Sequence, residues 1–234
     1  MNFPLVTVII AVKNGEKYIE KALLSVLGQQ YEPLEVLVVD GNSTDKTLSI
    51  ARAFPNVKII RQIGKGIANA YNTGIRQANG DFIAFLSHDD FWTKGKLKIQ
   101  IEFMSGNSEL LFTVGRVKFF LDDENYIPPG FRCELLKDDH IGYIMETLTA
   151  RRKVFDLVGF FDEKLAIAQD VDWFARAKDL GVTSAVVPKV LLRKIIHKTN
   201  IHLQSKKNNF ELLRAVKNSI NRKHPAKSEL KFYD

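Results

Sequence analysis

The sequence predicts an α/β protein with a doubly wound, mostly parallel central sheet flanked by helices, followed by a basic helical extension. Three observations predict it. Apolar runs of strand length, at 5–12, 34–39 and 81–86, alternate with stretches whose apolar residues recur at helical period, the rhythm of βα units in a parallel sheet. The first run, LVTVIIAV, is nearly continuous and β-branched, which suits a strand covered on both faces. Two of the runs lead into acids, Asp40 and Asp89, at the strand ends where open α/β sheets bind ligands.

Taken in order, Asn14-Gly15 ends the first strand, and Ile19, Ala22, Leu23, Val26 and Leu27 then form the stripe of a helix packed on a sheet. After the second strand, Asn42-Ser43 are good N-cap types for a helix over 44–53, and a short strand follows at 57–60. Gly64-Lys65-Gly66 opens a third helix, with Ile67, Ala70, Tyr71, Gly74, Ile75 and Ala78 facing inward and Asn69, Asn72 and Arg76 on the other side. Gly80 stops it, and the strand 81–86 runs straight into Ser87-His88-Asp89-Asp90. Asp40 and Asp89 are therefore expected to share a crevice. Beyond them the pattern predicts a helix over 94–104, a strand over 110–120 and an irregular loop over 121–132 containing Pro128-Pro129-Gly130. A strand and short helix fall within 143–158, a helix starts near Gln169-Asp170, and 190–196 is strand-like.

With 234 residues the chain fits one large α/β domain, placed at 1–203, and a basic helical tail at 204–234. A hydrophobic content of 45% with 26% charged residues supports a real core and excludes global disorder. The single cysteine, Cys133, can form no intrachain disulfide and belongs to no C-x-x-C zinc spacing, which fits a reducing cytoplasm. The apolar run from Phe3 to Val12 is about half of the ~20 residues a membrane span needs and lacks the basic start of a signal peptide, so it is expected to be a strand. The formal charge of +7 is a property of the tail, since 193–234 alone carries +8.

Asp89-Asp90 follows a buried strand, where hard oxygen ligands suit Mg²⁺ or Mn²⁺ bridging a diphosphate; such acids also serve as turn residues and caps. Helical periodicity separates two further acids. Asp170 lies on the inward face with Trp173, Phe174 and Ala177, as a chemical group or a helix cap, whereas Asp172 can pair with Arg176 in a surface role. His197 either completes a metal site with Asp89 or is structural, and Lys13, at the end of the first strand, either meets a phosphate or stays solvated. Backbone N–H groups at Gly64-Lys65-Gly66 could approach a phosphate, but neither a P-loop nor G-x-G-x-x-G is present, which removes support for ATPase and dehydrogenase chemistry.

Four segments, VTVIIAVKNGEKYIEKALLSVLGQQY, LEVLVVDGNSTDKT, GKGIANAYNTGIRQANGDFIAFLSHDDFW and VGFFDEKLAIAQDVDWFARAKDLGV, cover most of residues 4–182 in one order. In that order the chain resembles glycosyltransferase family 2, with its Rossmann-like GT-A fold, and looks most like bacterial members that build polysaccharides and glycoconjugates. The resemblance implies a nucleotide-sugar donor, UDP-linked by default, whose surroundings are Ala11, Lys13, Asp40, Gly66, Asn72, His88 and Asp89. It implies that Asp89 ligates a divalent metal, Mn²⁺ or Mg²⁺, as the last acid of a DxD-type motif, with His197 a candidate second ligand. Asp170 would be the general base of an inverting transfer. The chain departs from the family pattern at Ser87, where that motif has its first acid, at Gln169, often acidic, and at Lys13 and Asn69. The Q-x-x-R-W signature of processive synthases is absent, so transfer of single sugars to a glycan, lipid-linked or other hydroxyl acceptor is expected.

Two rivals are a sugar-nucleotide pyrophosphorylase, which would need a Gly-rich loop with Arg where this chain has Lys13-Asn14-Gly15-Glu16, and a module that binds nucleotide without turnover. In the tail, Phe210, Leu213, Val216 and Ile220 can form one helical stripe flanked by Lys207, Arg214, Lys217 and Arg222, suited to docking on the domain, to an anionic membrane surface or to an acidic acceptor. A cytoplasmic location follows, with peripheral contact at the inner face of the cell membrane through the tail. Without an aromatic-basic platform, nucleic acid is not an expected partner.

Overall fold

The first strand organises everything around it. In a computed structural model that describes residues 3–198, 200 and 208–223, except the side chains of 208 and 209, β1 (Val6–Val12) is buried at every position. Its side chains divide by parity, as a pleated strand requires: Val6, Val8, Ile10 and Val12 enter one core, Ile9 and Ala11 the other. β2 (Leu34–Asp40) and β4 (Phe82–Ser87) divide in the same way, with Val36, Val38, Ala84 and Leu86 on one face and Leu37, Val39, Ile83 and Phe85 on the opposite one.

Helices cover both faces. α1 (Ile19–Leu27), α2 (Thr47–Arg52) and α4 (Lys96–Ser105) pack on the first core; α3 (Gly66–Gln77), α5 (Val154–Val158) and α6 (Gln169–Asp179) pack on the second. α3 approaches β1 so closely that a Cβ on Gly74 would overlap the Ile9 side chain. Each fully buried aliphatic or aromatic side chain in these layers contributes ~1.5–3 kcal/mol of burial. The doubly wound expectation thus rests on two separate cores.

The remaining strands are β3 (Val57–Arg61), β5 (Phe91–Trp92), β6 (Phe112–Leu121), β7 (Asp139–Ile141), β8 (Thr149–Arg151) and β9 (Ser184–Ile196). The sheet order is β3-β2-β1-β4-β8-β6-β9-β5, with β7 paired to β6. Pairing is parallel from β3 to β4; β8 then pairs antiparallel with both β4 and β6, β6 and β9 run parallel, and β5 is antiparallel to β9. The second half of the sheet is therefore mixed. Its two- and three-residue strands are too short to carry a legible period.

The chain leaves β1 toward β2 on one side and returns to place β4 on the other. The crevice between the carboxyl ends of β1 and β4 is the switch point at which open α/β sheets bind ligands.

Two local expectations are corrected. α2 starts at Thr47, not at residue 44, and the preceding residues are tied into the loop, where the N–H of Ser43 donates to the Asp40 carboxylate, that of Thr44 to Asn14 Oδ1 and that of Lys46 to Glu16 Oε2. Asn72 does not lie on an outer polar face of α3 but is almost fully buried.

The last described element, α7 (Asn208–Lys223), packs along α6 through Ala215 and polar contacts at both ends. The expected boundary between residues 203 and 204 lies outside the described residues, as do Lys206, Lys207, Lys227 and Lys231. Among the described residues no helix is long and apolar enough to cross a membrane.

Candidate active site

Two adjacent acids leave β4 in different directions. Asp89 Oδ2 lies 2.9 Å from His197 Nε2, just past the end of β9, and 3.4 Å from the Asn200 amide. Asp90 is fully buried and pairs with Lys194 of β9, Nζ to Oδ2 at 2.6 Å, while the Ile195 N–H donates to its other oxygen at 2.9 Å. Only Asp89 is therefore available to a ligand, and Asp90 is a structural anchor.

Lys194 also lies 3.6 Å from Glu146, whose carboxylate accepts a 2.6 Å hydrogen bond from Ser87. Burial disfavours the Lys194 ammonium, but the charges of Asp90, Glu146 and Asp89 outweigh it and hold the lysine protonated. Burial likewise opposes ionisation of Asp89. The His197 hydrogen bond and the nearby charges of His88 and Lys194 overcome this and hold its carboxyl well below the usual carboxylate range.

Asp170 stands in the first turn of α6, where its Oδ1 accepts the Val171 N–H at 2.7 Å. Burial pushes its carboxyl up to about 6; the Val171 bond opposes the shift and the Glu146 charge adds to it. Asp89 and Asp170 open onto one cleft of about 500 Å³, together with Tyr71, Ser87, Glu146 and Lys194. Phe119, Phe131, Leu135, Ile144, Met145 and Ile167 supply its apolar walls. A second cleft, of about 610 Å³, is lined by Asn14, Glu16, Lys17, Tyr18, His88 and His197 among others. The Asp89 and His197 pair thus stands between two clefts.

The other expected donor residues are dispersed. His88 hydrogen-bonds to the Ala11 main chain, and burial lowers its imidazole below the ordinary value, so Ala11 reaches the second cleft only through His88. Lys13 is exposed at the end of β1. Gly66 begins α3 with φ +84 and lines neither cleft; its neighbour Ile67 borders the first. Asn72 donates to the Phe161 carbonyl and to Glu163 and accepts the Phe161 N–H, which commits its amide to the loop before α6.

Asp40 lines neither of these two clefts. It sits one strand away from the switch point, and its carboxylate accepts the N–H groups of Asn42 and Ser43 in its own loop. Asp172 pairs with Arg176 at 2.8 Å as its spacing implies, but the pair is largely buried and not a surface contact.

Sequence reasoning missed Glu146 and Lys194. Glu146 lies in a single 3-10 turn, Met145–Thr147, which has no period to mark it. Lys194 stands beside Arg193 in β9, and counting both with the basic tail obscured that one of the two points inward.

A cation would find few protein ligands here. Among the described residues no group of three or more His, Cys, Asp or Glu side chains could hold one. Asp89 and His197 nevertheless fit a shared ion, because their 2.9 Å separation matches neighbouring ligands of an octahedral cation with bonds of ~2.05 Å. Magnesium-type sites commonly use one or two protein ligands and complete the shell with water and substrate phosphates.

A family model described as glycosyl transferase family 2 matches residues 7–166. The chain belongs to glycosyltransferase family 2. This family 2 chain is 30% identical over 208 residues to an uncharacterized glycosyltransferase of Rickettsia typhi, covering 83% of itself and 64% of that relative. It is 28% identical to the chondroitin synthase of Escherichia coli, covering 90% of itself and 32% of the synthase. In structure it resembles S. aureus TarS crystallised with UDP, with a TM-score of 0.71 and 25% identity over 92% of this chain and 65% of the TarS chain. The family 2 chain thus spans less than two thirds of the length of each of these three proteins. The matched stretch contains Asp89 and ends before Asp170 and His197.

Proposed function

We propose that this chain moves a single sugar from a nucleotide donor, UDP-linked by preference, to an acceptor hydroxyl with inversion at the anomeric carbon. The observation that carries this is geometric, Asp89 beside His197 and Asp170 opening onto one cleft, and their environments differ, burial raising Asp170 to about 6 while its partners keep Asp89 low. Environments that drive paired acids apart in this way assign one to charge stabilisation and the other to proton transfer. The UDP preference draws on TarS, the relative crystallised with that nucleotide.

Asp170 accepts the proton of the acceptor hydroxyl, and the freed oxygen attacks from the face opposite the nucleotide. Asp89 and His197 would hold a divalent cation, Mn²⁺ or Mg²⁺, which when bound neutralises the departing diphosphate. The contacts of Asp89 with His197 and Asn200 keep it aimed. The apolar walls beside Asp170 suit the faces of a glycan acceptor or the chain of a lipid-linked one. Residues 1–203 form the catalytic unit in this proposal and 204–234 the basic tail, whose α7 meets an anionic membrane from the cytoplasmic side.

The test is a screen of UDP-, GDP- and dTDP-sugars with Mn²⁺ or Mg²⁺, reading nucleotide release with and without acceptor hydroxyls and the anomeric configuration of any product by NMR. The expected result is metal-dependent release from UDP-sugars and an inverted product. A retained configuration would exclude the base role of Asp170, and pyrophosphate-dependent formation of a nucleoside triphosphate would replace the transferase with a pyrophosphorylase.

A further inference from the structure

The helix that carries Asp170 begins without a cap of its own. Its N-cap residue is Ala168, which has no side-chain acceptor, and the three residues before Gln169 are Ala166, Ile167 and Ala168. The segment leading into the helix is held instead from 43 to 45 residues away in sequence: the Glu211 carboxylate of α7 accepts the N–H groups of Ala166 at 3.1 Å, Ile167 at 2.8 Å and Ala168 at 3.3 Å. An anion at this point also complements the positive end of the α6 dipole. Ala166, Ile167, Gln169 and Asp170 all line the cleft that holds Asp89. Upstream, Asn72 fixes the same loop at Phe161 and Glu163. The wall leading into Asp170 is thus held from two sides, once by the catalytic unit and once by α7.

We infer that Glu211 is a positioning residue: by binding three successive backbone N–H groups before α6, it sets where Asp170 stands relative to Asp89 and couples the docking of α7 to the acceptor side of the cleft. This rests on the transferase proposal, since it is the transfer step that Glu211 serves. These contacts fall on the wall leading into Asp170 and not on Asp89 or His88, so donor binding should be indifferent to Glu211. A glutamine in its place keeps the shape but has one acceptor oxygen for three donors, and an alanine has none.

The experiment compares wild type with Glu211→Gln, Glu211→Ala and the control Ser219→Ala, which cuts a different α7 contact, the hydrogen bond to Asp179. Three quantities are measured in the full chain: hydrogen exchange at Ala166–Ala168, UDP affinity with Mn²⁺ by calorimetry, and UDP release from UDP-hexoses with acceptor. Both Glu211 variants should lose exchange protection at these amides and at least tenfold in kcat, with UDP affinity within twofold of wild type. Ser219→Ala should keep its turnover. Unchanged protection, unchanged kcat, or a parallel loss of UDP affinity and turnover would each overturn the inference. Wild type inactive on every donor would instead sink the transferase proposal, whereas active variants beside active wild type sink only the role of Glu211.

Discussion

At Asp170 the proposed function and stability oppose each other. Its folded value of about 6 exceeds the ordinary aspartate value of 3.8, so between these pH values the folded protein binds more protons than the unfolded chain. The stability this carboxyl contributes is fully present at the acid end of that window and is lost as pH rises through about 6. Above it, the ionised form costs about 2 kcal/mol once its contact with cleft water is allowed for. Asp170→Asn is therefore expected to raise the melting temperature at pH 7.5 and to lose that advantage near pH 4. The same substitution removes the proposed base, and turnover should fall by ~10² to 10⁴-fold. Wild-type kcat/KM should decline as pH drops below about 6, the region where Asp170 takes up its proton. A stabilised Asp170→Asn with normal turnover would mean that another group accepts the proton.

At the scale of elements, α7 presents two faces with different tasks. Its docked face, with Glu211, Ala215, Ser219 and Arg222, clasps both ends of α6, where Arg222 pairs with Asp179 at 2.8 Å. Its opposite face carries Phe210, Leu213, Val216 and Ile220, each more than half exposed, with exposed Arg214 and Lys217 beside them. Four large apolar side chains turned to water on one helix are unusual for a face with no partner, and flanking cations favour an anionic lipid surface. We expect the protein to sediment with vesicles containing phosphatidylglycerol, to be released by raised salt, and to bind weakly once Leu213→Ser and Ile220→Ser are combined. Equal binding to neutral vesicles, or none to either kind, would assign the stripe to another partner. The stripe was legible because a sixteen-residue helix repeats its period several times, and α1 and α3 were legible for the same reason. Glu211 was not, since its meaning lies in what its carboxylate reaches, three amides far away in sequence.

Over the whole molecule, the parallel half of the sheet could be read from β1, β2 and β4, whose continuous apolar runs leave little choice but burial on both faces. Asp89 followed from that reading because it sits at the end of β4, beside the switch point. In the mixed half β6 and the end of β9 could be read as strands, but not β5, β7 and β8, which have only two or three residues each, and so not the pairing that brings Lys194 and Glu146 to the site beside His197. Lys194 joins the halves: from β9 it reaches Asp90 past the end of β4, and no water offers an alternative partner for a carboxylate with 0% exposure. A Lys194→Met protein would leave that charge buried and unpaired, a defect of ~3–5 kcal/mol where the pair is simply broken. The chain has one escape, which is to protonate Asp90, whose carboxyl burial already pushes up against the pull of Lys194. Loss of Lys194 should push it further. The destabilisation of Lys194→Met, measured by urea unfolding, should therefore be largest at pH 8 and shrink toward pH 5, and adding Asp90→Asn should restore most of the lost stability at pH 8 while flattening the pH dependence. Equal losses at both pH values, with no recovery in the double variant, would show that Lys194 matters for its packing and not for the charge it holds.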